Sequence, residues 1–110
     1  MTYEQLGAAL RRTGYPFAEG AWVDAEAQQR DYGVYALDGR DDLMADDKHA
    51  ERMLEGTVDF FAWHSNGIAQ AARIEAVLDS AGIPWRVGLA GEYEPDTGLT
   101  HWEWIFNCLP

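Results

Sequence analysis

The closing segment of the chain, T-H-W-E-W-I-F-N-C-L at residues 100–109, most constrains the fold, because its three large aromatic side chains fall at alternate positions. Successive side chains of a strand point to opposite faces of a sheet. One face therefore carries Trp102, Trp104 and Phe106, and the other carries His101, Glu103 and Ile105. Aromatic rings bury roughly 150–250 Å2 each. The segment predicts a strand whose aromatic face lies against a second layer of structure.

Two segments have the 3.6-residue period of helices that can form this layer. The first begins at Thr2 and Gln5, which form a capping box. The second covers residues 68–81, and Ser65 or Asn66 can cap its N-terminus. The side chains that we expect in the core are Leu6, Leu10, Ile74, Leu78, Trp102, Trp104 and Phe106.

Four further segments, at residues 17–23, 32–38, 55–63 and 84–94, have the composition of strands. The predicted order of elements is α-β-β-β-α-β-β. Turn signals between the strands favour hairpins, which give antiparallel pairs. We therefore predict one α+β domain over residues 1–110, with a mostly antiparallel sheet and both helices packed on one face. A long hairpin arm, residues 39–50, is expected to join the second and third strands.

The charge balance excludes several classes of function. The formal net charge is −11 and the sequence pI is about 4.4. Nucleic-acid binding and attachment to anionic membranes both depend on clustered Lys and Arg, so neither is expected. Cys108 is the single cysteine, so no intramolecular disulfide can form. The sequence has neither a signal peptide nor an apolar run of about 20 residues, which predicts a soluble protein made in a reducing cytoplasm.

The acidic stretch at residues 38–52 can be a metal site, a solvated loop or an arm that contacts another protein. A calcium loop needs oxygen ligands at alternate positions and a glycine at the sixth position, and this stretch has neither. The other two interpretations overlap. Two apolar side chains on a polar tip favour contact with a neighbour. The residues that we expect to contact a neighbouring protein are Asp41, Asp42, Leu43, Met44, Asp46, Asp47 and Lys48.

Candidate catalytic and metal-binding residues form no established pattern. His101 and Glu103 share one strand face, but a third ligand would have to come from elsewhere, and a solvated pair is the simpler interpretation. Ser65 follows His64 directly, without the turn motif that exposes a nucleophile. Cys108 has no evident base nearby. We therefore expect no enzyme, no cofactor and no bound metal.

Several segments together resemble a family of phage and prophage tail proteins. They are TYEQLGAALRRTGYPFAEGAW at the start, YGVYALDGRDDLMADDKHAER from residue 32, TVDFFAW from residue 57 and IEAVLDSAGIPW from residue 74. The pattern and order of these segments resemble the tail terminators, or tail-completion proteins, of long-tailed bacteriophages.

The resemblance implies a function in assembly. Such a subunit has an α+β fold and forms a homo-hexameric ring that caps the tail tube and ends its polymerisation. The ring presents a surface to the head connector, so the implied partners are the tail tube protein and the connector protein. The resemblance implies a virion protein of the tail or neck, assembled in the bacterial cytoplasm, with no cofactor and no reaction.

The charge also allows a second function. A small acidic inhibitor or adaptor could occupy the basic, DNA-binding surface of another protein, as a DNA mimic does. Such a protein would stay monomeric or dimeric, and its binding would weaken strongly with salt. A ring subunit would instead appear as a hexamer, or assemble when tube protein is added.

A ring at the neck of a phage must let DNA pass through its channel. Positive charge on the channel wall would retain the phosphates, whereas an acidic wall repels the duplex. We expect part of the acidic excess to line the channel, either from residues 38–52 or from Glu92 and Glu94.

Deletion of residues 41–47 tests the contact arm. We expect the isolated subunit to keep its fold, because this segment has little to bury, and we expect ring or tube assembly to be impaired. Circular dichroism and thermal unfolding measure the fold, and particle mass measures assembly. Unfolding of the isolated subunit would place the segment in the core instead.

Overall fold

The computed structural model describes residues 1–21, 29–38 and 53–110, and within them the predicted order of elements is confirmed. The predicted arm, with every contact residue from Asp41 to Lys48, lies outside the described residues. The elements are α1 (Tyr3–Arg11), β1 (Phe17–Glu19), β2 (Tyr32–Leu37), β3 (Leu54–Trp63), α2 (Ile68–Ser80), β4 (Trp85–Glu94) and β5 (Leu99–Cys108).

The five strands form one mixed sheet in the order β1-β2-β3-β5-β4. Only the short β1 runs parallel to its neighbour β2, and the other three pairs are antiparallel, as predicted. The last strand of the chain therefore lies between β3 and β4, and β4 forms one edge of the sheet. The fold is α+β, with the helices separate from a mainly antiparallel sheet.

Both helices pack against the same face of the sheet. Leu6 and Leu10 of α1 and Ile74 and Leu78 of α2 belong to one buried cluster, together with side chains from the sheet. The strands contribute every second residue to this cluster, as the two-residue period requires. The inward-facing members from β3 and β5 are Val58, Phe60, Ala62, Trp104, Phe106 and Cys108.

The helix ends follow the sequence signals with one correction. The capping box of α1 is confirmed, since Thr2 Oγ1 accepts from the Gln5 amide at 3.2 Å and Gln5 Oε1 accepts from the Thr2 amide at 2.9 Å. The predicted cap of α2 by Ser65 or Asn66 is wrong. Gly67 occupies the N-cap with φ 74°, a conformation that glycine adopts without strain. Ser65 and Asn66 lie just before Gly67. Each side-chain oxygen accepts from the amide two residues further along the chain, Ser65 from Gly67 and Asn66 from Ile68.

Six of the seven predicted core residues are fully buried, and Trp102 is only partly buried. The Trp102 ring lies between Gly67, at the start of α2, and Gly91 of the edge strand β4. A Cβ on either glycine would meet the ring. Its Nε1 donates to the carbonyl of Asn66 at 2.8 Å. The alternation of strand residues predicts the face on which Trp102 lies correctly. The helix layer ends at the start of α2, however, and leaves part of the Trp102 ring exposed.

Trp104 is the largest fully buried side chain, and its Nε1 donates to Glu75 Oε2 of α2 at 2.8 Å. Trp104→Ala should therefore lower the free energy of unfolding by about 3–5 kcal/mol, because it leaves a large cavity between sheet and helix. Trp63→Ala is the control, since Trp63 is 36% exposed, and it should cost under about 1 kcal/mol. Urea titration measures both values. A small cost for Trp104→Ala would place its ring at the surface.

Candidate functional site

The sheet face opposite the helices is the main candidate for function. Side chains on this face alternate with the core residues along each strand, and no described element covers them. We call it the open face. Its described members include Tyr32, Val34, Ala36, Glu55, Thr57, Asp59, Phe61, Arg86, Leu89, Glu92, Glu94, His101, Glu103 and Ile105. Most of them are half-buried by their neighbours alone.

A row of three stacked rings crosses the open face. Tyr32 and Phe61 are register partners on β2 and β3. Their ring centroids lie 4.9 Å apart, and the angle between the ring planes is 19°. Phe61 and His101 are partners on β3 and β5. Their ring centroids lie 4.3 Å apart, and the angle between the ring planes is 20°. These spacings are close to the distance between neighbouring strands, about 4.8 Å. The rings therefore stand side by side and fix the register of three strands.

His101 ends this row among carboxylates. Its Nε2 lies 2.7 Å from Asp59 Oδ1, and its Nδ1 lies 3.7 Å from Glu94 Oε2. Partial burial lowers the pKa of His101, but the hydrogen bond to Asp59 and the charges of Asp59, Glu94 and Glu103 outweigh it and raise the pKa above its ordinary value. When His101 is protonated, its imidazolium supplies positive charge where three carboxylates approach one another.

Asp59 and Glu103 lie directly opposite each other on β3 and β5. Like charges in this position destabilise a sheet. Burial raises the pKa of Glu103, and the charge of Asp59 and a hydrogen bond with Asp59 raise it further, while His101 lowers it. The Glu103 carboxyl group is therefore harder to ionise than a free one.

Gly88 on β4 provides the space for the Glu103 carboxylate. A Cβ on Gly88 would collide with Glu103 Oε1. Its backbone φ is not in the left-handed region, so what glycine provides here is room for the carboxylate, which would have to shift if a side chain were added. The adjacent register shift between Val87 and Leu89 is a β-bulge in the edge strand. The edge strand is thus shaped around the carboxyl group.

The predicted channel residues Glu92 and Glu94 both lie on the β4 side of the open face. Glu92 is exposed, and the side chain of Glu94 is 41% exposed. The prediction that His101 and Glu103 share one face is confirmed. The strand pattern alone indicates a solvated pair, whereas the structure shows both side chains partly buried among other charges. The sequence did not single out Asp59 or Gly88. An aspartate inside the apolar run TVDFFAW was the available signal for Asp59.

The other chemical candidates of the sequence are not brought together. Ser65 Oγ accepts from the Gly67 amide at 3.2 Å and lies 3.3 Å from Gln70 Nε2. His64 and Ser65 line a cleft of about 350 Å3 with Tyr93 and Thr100. Cys108 is buried, and burial raises the pKa of its thiol. Within the described ranges, no group of three His, Cys, Asp or Glu side chains is arranged to hold a metal ion.

Comparisons with protein-family models, with curated proteins and with solved structures found no match. The resemblance to tail terminators therefore depends on the sequence segments alone. Among the residues that the structure describes, no helix is long and apolar enough to cross a membrane.

The His101 cluster makes stability depend on pH. The folded pKa of His101 lies above its ordinary value of 6.5, so the folded state holds this proton more tightly than the unfolded chain. The stabilisation is complete below pH 6.5 and is lost as pH rises through the folded pKa. We expect the wild-type protein to lose more stability between pH 6 and pH 9 than His101→Gln. Urea titrations at both pH values measure this, and identical losses would contradict it.

Proposed function

We propose that the protein is a structural subunit of a phage or prophage tail. In this proposal it forms a homo-hexameric ring that caps the tail tube, ends tube polymerisation and joins the tube to the head connector. The observation that carries the proposal is the one-sided fold, in which two helices cover one sheet face and no described element covers the other. Such a subunit offers large surfaces to neighbours and little machinery for a reaction.

The edge of the sheet supports a ring. A ring needs two different contact surfaces on each subunit, because each subunit meets its two neighbours differently. β4 pairs only with β5 among the described strands, so its other edge is available to a neighbour. Val87 and Tyr93 on this strand are 46% and 61% exposed. Exposed apolar side chains next to an unpaired strand edge are typical of a protein contact.

The choice of a tail ring among possible assemblies comes from the sequence. The segments that resemble tail terminators include α1, β1, β2, most of β3 and the second half of α2. The open face supports an acidic channel wall, because Glu92 and Glu94 lie on it with Asp59 and Glu103. These side chains can line the channel only if the β4 side of the open face turns toward the ring axis.

The acidic adaptor is the second candidate, because carboxylates outnumber cations on the open face. The described carboxylates of the open face are Glu55, Asp59, Glu92, Glu94 and Glu103. Its described basic side chains are Arg86 and His101. This excess suits a basic protein surface as well as it suits a channel. Particle size distinguishes the two candidates, since an adaptor forms no hexamer.

Native mass analysis across a salt series tests the ring. Like charges of adjacent subunits face each other around an acidic channel, and salt screens them over roughly 8 Å at physiological ionic strength. We therefore expect a hexamer whose fraction rises with salt, and a ring that binds the end of purified tail tubes.

Two outcomes would contradict this account. A protein that stays monomeric or dimeric at every salt concentration, and does not assemble on tail tubes, is not a ring subunit. A hexamer that weakens as salt is added is held by ion pairs between subunits, which would overturn the acidic channel while leaving the ring.

A further inference from the structure

The centre of the open face combines apolar side chains with an unusual charge arrangement. Val34, Leu89 and Ile105 are half-buried around the opposed carboxyl groups of Asp59 and Glu103. A sheet face that only meets water does not need aliphatic side chains in this position, and opposed carboxylates reduce the stability of the sheet. This combination is typical of a contact surface, with an apolar region around a small number of polar anchors.

The charges determine what kind of partner can cover this face. A neutral surface would remove water from Asp59 and Glu103 without replacing their hydrogen bonds, which is unfavourable for a buried charge. Within the described part of the chain, His101 supplies one positive charge to a cluster that also holds Glu94. A second copy docked face to face would bring two such clusters together. The partner must therefore bring cations of its own.

Arginine matches this cluster better than lysine does. Its planar guanidinium has five donors in a fixed fork, so one side chain can bridge two carboxylates on adjacent strands. Its weak hydration also lowers the cost of placing it among apolar side chains. The absence of a side chain at Gly88 leaves room for the Glu103 carboxylate beside β4, where a partner's guanidinium can reach it.

We propose that the open face is a docking surface for an arginine-bearing segment of another protein, with the guanidinium bound across the outer oxygens of Asp59 and Glu103. The segment packs its neighbouring residues against Val34, Leu89 and Ile105. This inference does not require the ring, since the surface is complete within one subunit. If the ring forms with this face toward its axis, the same surface repels DNA and retains a basic protein segment.

Isothermal titration with an octa-arginine peptide at 150 mM salt tests the proposal, with Glu103→Gln and Glu4→Gln as a matched pair. Each variant removes one negative charge, but Glu4 is exposed on α1, on the other side of the sheet. We expect Glu103→Gln to weaken binding by about tenfold or more, and Glu4→Gln by less than about twofold, because a partly buried charge pair contributes far more than an exposed one.

Gly88→Ala provides a test at constant charge. The added Cβ displaces the Glu103 carboxylate, so binding should weaken although the net charge stays at −11. Amide NMR spectra verify that each variant is folded, and the particle mass of the same samples reports the ring separately. Equal weakening by Glu103→Gln and Glu4→Gln would show that the peptide binds net charge alone and would overturn the proposal. Equal affinity for octa-lysine would overturn the assignment to arginine.

Discussion

The pairing of β3 with β5 is the constraint on which the rest of the structure depends. Ten residue pairs, from Leu54 with Cys108 to Trp63 with Leu99, place these strands in one fixed register at the centre of the sheet. On one face this register joins Val58 to Trp104, which is fully buried under α2. A slip of one residue would exchange the two faces of the strand, so the burial of the aromatic side chains specifies the register strongly.

The same register creates the open face. It places Asp59 opposite Glu103 and brings His101 within hydrogen-bonding distance of Asp59. The core therefore holds together a set of charges that would not stay together by themselves. Opposed carboxylates, with a glycine that leaves space for one of them, are the observations on which the proposed docking surface rests. Both the ring and the docking surface that we propose depend on this face.

Local sequence signals predicted the elements well. The capping box at Thr2 and Gln5 marked the start of α1, and the helical period over residues 68–81 matched α2 to within one residue of its end. The strict alternation of residues 100–109 gave both faces of β5 correctly. Each of these signals lies within a few residues of the feature that it determines, which is why the sequence alone was sufficient for them. Strand β1 was the exception, since it ends at Glu19 before Gly20, which has φ 85°, rather than at residue 23.

The contacts between distant segments were not predictable in the same way. His101 and Asp59 are 42 residues apart, and nothing in either segment shows that their strands pair in this register. Without the pairing of β3 with β5, the sequence indicates only that His101 and Glu103 form a solvated pair on one strand. Trp102 was expected in the core because its face is correct, but its exposure depends on where α2 begins. The candidate site is thus a product of tertiary structure, whereas the fold class follows from local patterns.

An NMR titration of the side-chain carboxyl carbons of Asp59 and Glu103 and of the His101 imidazole tests the central claim most directly. The account predicts that His101 titrates above its ordinary pKa of 6.5 and Glu103 above its ordinary pKa of 4.5. It also predicts that the Asp59 signal moves during both titrations, because the three groups are in contact. If His101 and Glu103 titrate at their ordinary values and the Asp59 signal responds to neither, the cluster does not exist. The charge arrangement of the open face, and the docking surface derived from it, would then be wrong.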